Sequence, residues 1–162
     1  MLPISVKDDK KRLDRTKQSM LKKGMEVLII TESENLNYLS GYSSGSFRTD
    51  QMLIVMVDED QPLWIGDEAV ANDVKAAVWF YHENIIPYST SSDSKMIHLS
   101  EFAAEILSQI GQSNRRIGIE MDSYFFSGSS YEFFTRNLPN AKISDASYLI
   151  DNIRLHNRDQ AT

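Results

Sequence analysis

At 162 residues, with 41% apolar and 25% charged side chains, the sequence has the make-up of one globular domain long enough to bury a core. A net charge of −6 argues against nucleic acid or an anionic membrane as the main partner. No apolar run approaches the ~20 residues that span a bilayer, and the absence of cysteine excludes disulfides and thiolate metal sites. A reducing cytoplasm fits, and the N-terminal MLPISVKDDKKR has no apolar stretch of the secretory type.

Residues 8–23 read as a helix: Leu13, Met20 and Leu21 fall near one face, lysines and arginines on the other, and Gly24 is the expected stop. Residues 25–31 (MEVLIIT) follow as a buried strand. A short helical turn carries Asn37, Tyr38 and Leu39 and breaks at Gly41, where φ > 0 is available. Ser43, Ser44, Gly45 and Ser46 form a loop too polar to bury, with Phe47 and Arg48 at its junction with the next strand. That strand, 52–57, carries no charge and is expected to be central, with Leu53 and Val55 on one face and Ile54 and Met56 on the other. After an acidic turn at Asp58, Glu59 and Asp60, residues 63–65 pair back antiparallel. Gly66 is expected to end them, and Asp67 to cap a helix over 68–79.

Residues 84–88 (NIIPY) contain Pro87, which places this strand at an edge or a strand end. Residues 89–95 (STSSDSK) are the one low-complexity stretch and read as a surface loop. A helix over 100–110 should turn Phe102, Ala103, Ile106 and Ile110 inward and stop at Gly111. A strand at 116–121, a helix at 130–138 ended by Pro139, a short strand at 141–144 and a last helix at 146–155 complete the order. A hairpin among helix-linked strands implies a mixed sheet with helices on both faces.

Few motifs carry chemistry. Gly41-Tyr42-Ser43-Ser44-Gly45 matches G-x-S-x-G, but a nucleophile elbow needs a strand before the serine and a helix after it, and here the order is reversed. The histidines, at 82, 98 and 156, are not paired at helical spacing and read as solvated or capping residues. Asp58, Glu59 and Asp60 read as a solvated turn, because no apolar surround is present to desolvate one of them. No phosphate loop or dinucleotide fingerprint is present, so the residues alone assemble no complete catalytic set.

Five stretches occur in a telling order: KKGMEVLIITESENLNYLSGY, SFRTDQMLIV, RRIGIEMD, NLPNAKISDAS and YLIDNIRLHNRDQ. Together, from about Arg12 to Asp159, they resemble the N-terminal domain of the creatinase/prolidase/aminopeptidase P family. The resemblance implies a three-layer α/β/α unit with a mixed, ribonuclease H-like sheet. In that family a separate C-terminal catalytic pita-bread domain follows, holding a divalent metal pair (Mn, Co or Zn) through Asp, His and Glu ligands. That domain is absent from residues 1–162, which would then be an excised domain or a truncated gene product, without a metal or cofactor of its own.

The SFRT stretch looks most like the creatinase and ectoine hydrolase branch. There the N-terminal domain of one subunit reaches the active site of the other through a phenylalanine and an arginine. Phe47 falls at the aromatic position; Arg48 directly follows it, with Thr49 where creatinase has arginine, a departure that argues against creatine as substrate. Phe47, Arg48 and Tyr42 are the substrate-contact candidates. The expected role is a non-catalytic domain of a cytoplasmic metal-dependent C–N hydrolase, an Xaa-Pro peptidase or a creatinase- or ectoine hydrolase-like enzyme. It would shape substrate access and take part in a homodimer, its partner in the same protein being the catalytic domain. The alternative is a stand-alone protein- or peptide-binding module.

Overall fold

Uninterrupted apolar sequence is what lets a strand lie between two helical layers, and the central strand meets that condition from Met52 to Met56. The computed structural model describes residues 4–44, 50–89 and 98–161. In chain order it contains α1 (Ile4–Lys22), β1 (Val27–Ile30), α2 (Ser33–Ser40), β2 (Gln51–Met56), β3 (Leu63–Asp67), α3 (Ala71–Ala77), β4 (Ile85–Tyr88), α4 (Leu99–Gln109), β5 (Arg116–Ile119), α5 (Gly128–Asn137), β6 (Lys142–Asp145) and α6 (Leu149–Ala161). The strands form one six-stranded sheet in the order β4-β3-β2-β1-β5-β6. β2 pairs antiparallel with β1 and β3, while β1–β5, β5–β6 and β3–β4 are parallel, so β2 alone runs against the other five.

Alternation along the central strands divides the core in two. Leu28, Ile30, Leu53, Val55 and Trp64 face α1, α2, α3 and α6, where they meet Leu13, Met20, Leu36, Leu39, Val74 and Ile150. Val27, Ile29, Ile54, Met56 and Ile117 face α4 and α5 and meet Ala103, Ala104, Leu107 and Phe134. The result is the expected three-layer α/β/α unit, with Leu53 and Val55 on one face and Ile54 and Met56 on the other. β4, with Pro87, lies at the sheet edge.

Gly41 ends α2 at φ +85°, its N–H donating to the Asn37 carbonyl, as the break in the sequence implied. Several details differ from the sequence reading, among them Leu21, which is 59% exposed while Leu13 and Met20 are buried. Gly66 does not end its strand; it lies inside β3, paired with Gln51 and Pro87. Its role is steric: a Cβ there would come 2.5 Å from the ring of Trp64 and 3.0 Å from the Asp50 carbonyl. Trp64 is wholly buried and its indole N–H donates to Gln51 Oε1 at 3.0 Å, so the ring has little room to yield. Gly66→Ala is therefore expected to cost about 1–3 kcal/mol by overpacking, read from urea unfolding. Gly118→Ala should cost less, because there the nearest atom belongs to the flexible side chain of Met25. Equal losses at the two glycines would contradict this account.

The helix expected over 68–79 is instead a 3₁₀ turn (Glu68–Val70) followed by α3, which ends at Ala77. Asp67 does cap it, accepting from the Ala69 N–H at 2.9 Å. The chain leaves the helix at Val78 so that Phe80 can bury and the Trp79 indole N–H can donate to the Leu39 carbonyl at 2.8 Å. In α4 the inward stripe is Leu99, Ser100, Ala103, Ala104 and Leu107, while Ile110 is 43% exposed. Alanines on the sheet side let this helix approach closely and push Phe102 to the flank, where it packs on Tyr88. Asp58 is more than a solvated turn residue: Arg115 bridges it at 2.7 Å and Glu26 at 2.6 Å.

Candidate functional site

The pairing registers place the C-terminal ends of β1, β3, β4, β5 and β6 and the start of β2 along one edge of the sheet. In open α/β sheets this edge is where connecting loops and helix N-termini converge and where ligands are held. Among the described residues, three clefts along it are lined by side chains of these elements and loops.

The first, of about 210 Å³, is built around Glu120, which directly follows β5 and is 3% exposed. Its Oε1 accepts from the backbone N–H groups of Thr31 (3.0 Å) and Glu32 (2.9 Å), and its Oε2 from Asn35 Nδ2 (2.6 Å). Thr31 Oγ1 donates to the Glu120 carbonyl at 2.8 Å. Asn35, on α2, is fully used: Nδ2 also donates to Asp151 Oδ1 (2.6 Å), and Oδ1 accepts from Arg154 Nη1 (3.0 Å). Arg154 in turn reaches Glu34 at 3.4 Å. One amide thus joins β5, α2 and α6.

Burial raises the Glu120 carboxyl to about 7; the hydrogen bonds from Glu32, Asn35 and Thr31 oppose this, and the charge of Asp151 adds to it. The group can therefore change charge near neutrality. Tyr148, which precedes α6, holds a left-handed backbone at φ +69°. Its hydroxyl donates to the Asp122 carboxylate. Asp145 accepts from Ser147 Oγ (2.6 Å) and N (3.0 Å), which keep its carboxyl below the ordinary range.

Composition and spacing did not single out Asn35, Glu120, Asp151 or Arg154. A signal was nonetheless present, because NLNYLSGY contributes Asn35 to the network, RRIGIEMD contributes Glu120, and YLIDNIRLHN contributes both Asp151 and Arg154.

The second cleft, about 460 Å³, is lined by Tyr42, Ser43, Ser44, Val70, Asp73 and Ala77. Tyr42 is 7% exposed and packs in the core with Leu39 and Val74; burial, then the charge of Asp73, raises its hydroxyl above the ordinary range. Its N–H donates to Ser40 Oγ at 3.1 Å. Phe47 and Arg48 belong to residues 45–49 and lie outside the described residues, as does most of the low-complexity stretch 89–95.

The third cleft, about 320 Å³, lies beside Asp50, His98 and Ser100. His98 is the N-cap of α4, its Nδ1 accepting from the Ser100 N–H at 3.1 Å, and its ring stacks on Phe133 with centroids 4.7 Å apart. Among the described residues no group of three or more His, Asp or Glu side chains is placed to hold a metal ion, and no described helix is long and apolar enough to cross a membrane.

Comparison with known proteins gives a consistent result. The family model described as "Creatinase/Prolidase N-terminal domain" matches residues 12–156. An uncharacterized hydrolase/peptidase, y4tM, of Sinorhizobium fredii is 33% identical over 155 residues, which are 95% of this chain and 40% of that protein. The ectoine hydrolase of Halomonas elongata is 30% identical over 152 residues, 93% of this chain and 38% of that protein. The crystal structure of an Xaa-Pro aminopeptidase from Streptococcus pyogenes superimposes with a TM-score of 0.68 at 22% identity, covering 91% of this chain and 98% of that one. The chain therefore spans about two fifths of the length of the curated relatives it matches.

Proposed function

Because the chain belongs to the creatinase/prolidase N-terminal domain family, we propose that it is the non-catalytic N-terminal domain of a cytoplasmic, dimeric metal-dependent hydrolase. That enzyme would cleave a C–N bond, as an Xaa-Pro peptidase or an ectoine hydrolase- or creatinase-like enzyme. The observation that carries the reading is the pair of coverages: nearly all of this chain aligns with only two fifths of each hydrolase. The chemistry then belongs to the remaining three fifths. The described residues offer no ligand set that fits a divalent metal pair, so that pair is assigned to the catalytic region.

This domain would act on access. The three clefts and both ends of the loop at 45–49 lie along one edge of the sheet, which is the edge proposed to face the catalytic region of the partner subunit. Phe47 and Arg48 would supply an aromatic face and a guanidinium to a small zwitterion or a peptide carboxylate, with Tyr42 anchoring the loop from the core side.

The test is Phe47→Ala in the full-length enzyme and in this chain. A gate residue is expected to lower kcat/KM at least about tenfold, ~1.4 kcal/mol of transition-state binding, while the chain's own stability changes by less than ~0.5 kcal/mol. A destabilised chain with unchanged kinetics would assign Phe47 to the core. A native reading frame that ends at Thr162, together with peptide binding by the chain alone, would favour the stand-alone binding module.

A further inference from the structure

Among the described residues, Ser100 Oγ is the buried side-chain polar atom without a hydrogen-bond partner. Ser100 is wholly buried, and it borders the third cleft. An unpaired buried hydroxyl is costly, and alanine would fit α4 better, so its presence calls for a partner. With no acceptor or donor offered among the described residues, the cleft is the direction from which one can come.

The surroundings define that partner. Ser100 lies in the first turn of the eleven-residue α4, where the N–H groups of Leu99 and Glu101 have no acceptor within the helix. His98 accepts from the Ser100 N–H through Nδ1. In the neutral imidazole the proton is then on Nε2, which is a donor. One wall thus offers a hydroxyl, an imidazole N–H and the positive end of a helix, a set that suits a carboxylate. Asp50, an exposed carboxylate, also lines the cleft and is among the charges that raise the Tyr88 hydroxyl. Met52, Leu99 and Phe125 supply apolar surface. A simple anion would be repelled by Asp50, and a simple cation by the helix end. A molecule carrying both charges satisfies both walls, and about 320 Å³ suits a small one.

We propose that this cleft binds a free α-amino acid with an apolar side chain. Its carboxylate is held by Ser100, His98 and the start of α4, its ammonium pairs with Asp50, and its side chain lies on Met52 and Phe125. The site consists of this chain's own residues and does not depend on the hydrolase reading.

The test uses the 162-residue chain, ¹⁵N-labelled, titrated to about 10 mM with L-leucine, with N-acetyl-L-leucine (carboxylate only) and with L-leucinamide (ammonium only), a range in which millimolar ligands saturate. Leucine is expected to shift the amides of Leu99, Ser100 and Glu101 saturably, and each analogue to bind at least about tenfold more weakly. Ser100→Ala and Asp50→Asn are each expected to weaken leucine binding about tenfold or more. Ser100→Ala should stay folded, since the hydroxyl it removes has no partner among the described residues. The absence of a saturable shift would overturn the proposal, as would an analogue binding as tightly as leucine. So would a Ser100→Ala chain of raised thermal stability and unchanged leucine affinity.

Discussion

Ile54→Asp and Val55→Asp are each expected to leave the chain unfolded at 25 °C. The two residues are neighbours on β2, and both are wholly buried, but they point into different cores. Ile54 faces the layer of α4 and α5; Val55 faces the layer of α1, α2, α3 and α6. A carboxylate on either side would have no cation or donor within an apolar cluster, which costs several kcal/mol even when the group escapes by binding a proton. A domain of ordinary stability has only about 5–15 kcal/mol in total. Circular dichroism and the dispersion of amide resonances read the outcome. Either variant melting like the wild type would mean that one face of the sheet is open to water, and the three-layer architecture would fall.

Asn35→Ala is expected to be the most damaging polar substitution, costing about 2–3 kcal/mol in urea unfolding. It removes a donor from Glu120 and from Asp151 and the acceptor of Arg154 in one step, leaving two carboxylates without the amide that separates them. The pH dependence of stability should report the same network. Glu120 has its carboxyl raised from the ordinary 4.5 to about 7 in the folded chain. The folded state therefore binds more protons than the unfolded state across that interval, and stability falls as pH rises through it. The contribution is fully present below about pH 4.5 and is lost above about pH 7; at 1.36 kcal/mol per pH unit its ceiling is about 3 kcal/mol. Glu120→Gln should abolish this slope, whatever its effect on absolute stability. Asn35→Ala should move the Glu120 titration upward, because a bond that favours the charged form is gone. A wild-type stability that rises between pH 5 and pH 7 would place the Glu120 charge in the folded state and refute the assignment. A loss below ~0.5 kcal/mol for Asn35→Ala would remove the amide from its central position.

By itself the sequence determined those features that local chemistry controls. An uncharged strand can only be central, so β2 and its two faces were legible. A glycine after the polar turn of α2 can only end it, and a proline in NIIPY can only lie at an edge or strand end. The five ordered stretches were enough to identify the family that residues 12–156 match. Tertiary structure decided whatever depends on atoms distant in the chain. Gly66 reads as a breaker from its neighbours, but it is required because the Trp64 ring covers it within the strand. Ile110 fits a helical stripe, yet Ala103 and Ala104 set how close α4 comes to the sheet and leave Ile110 in solvent. Asn35 and Asp151, 116 positions apart, carry no pattern that links them. They meet because β1 and β5 are adjacent and end on the same edge of the sheet, which brings α2 and α6 together over Glu120. The unpartnered hydroxyl of Ser100 was equally invisible, since a missing hydrogen bond is a property of a packed interior and not of a residue type.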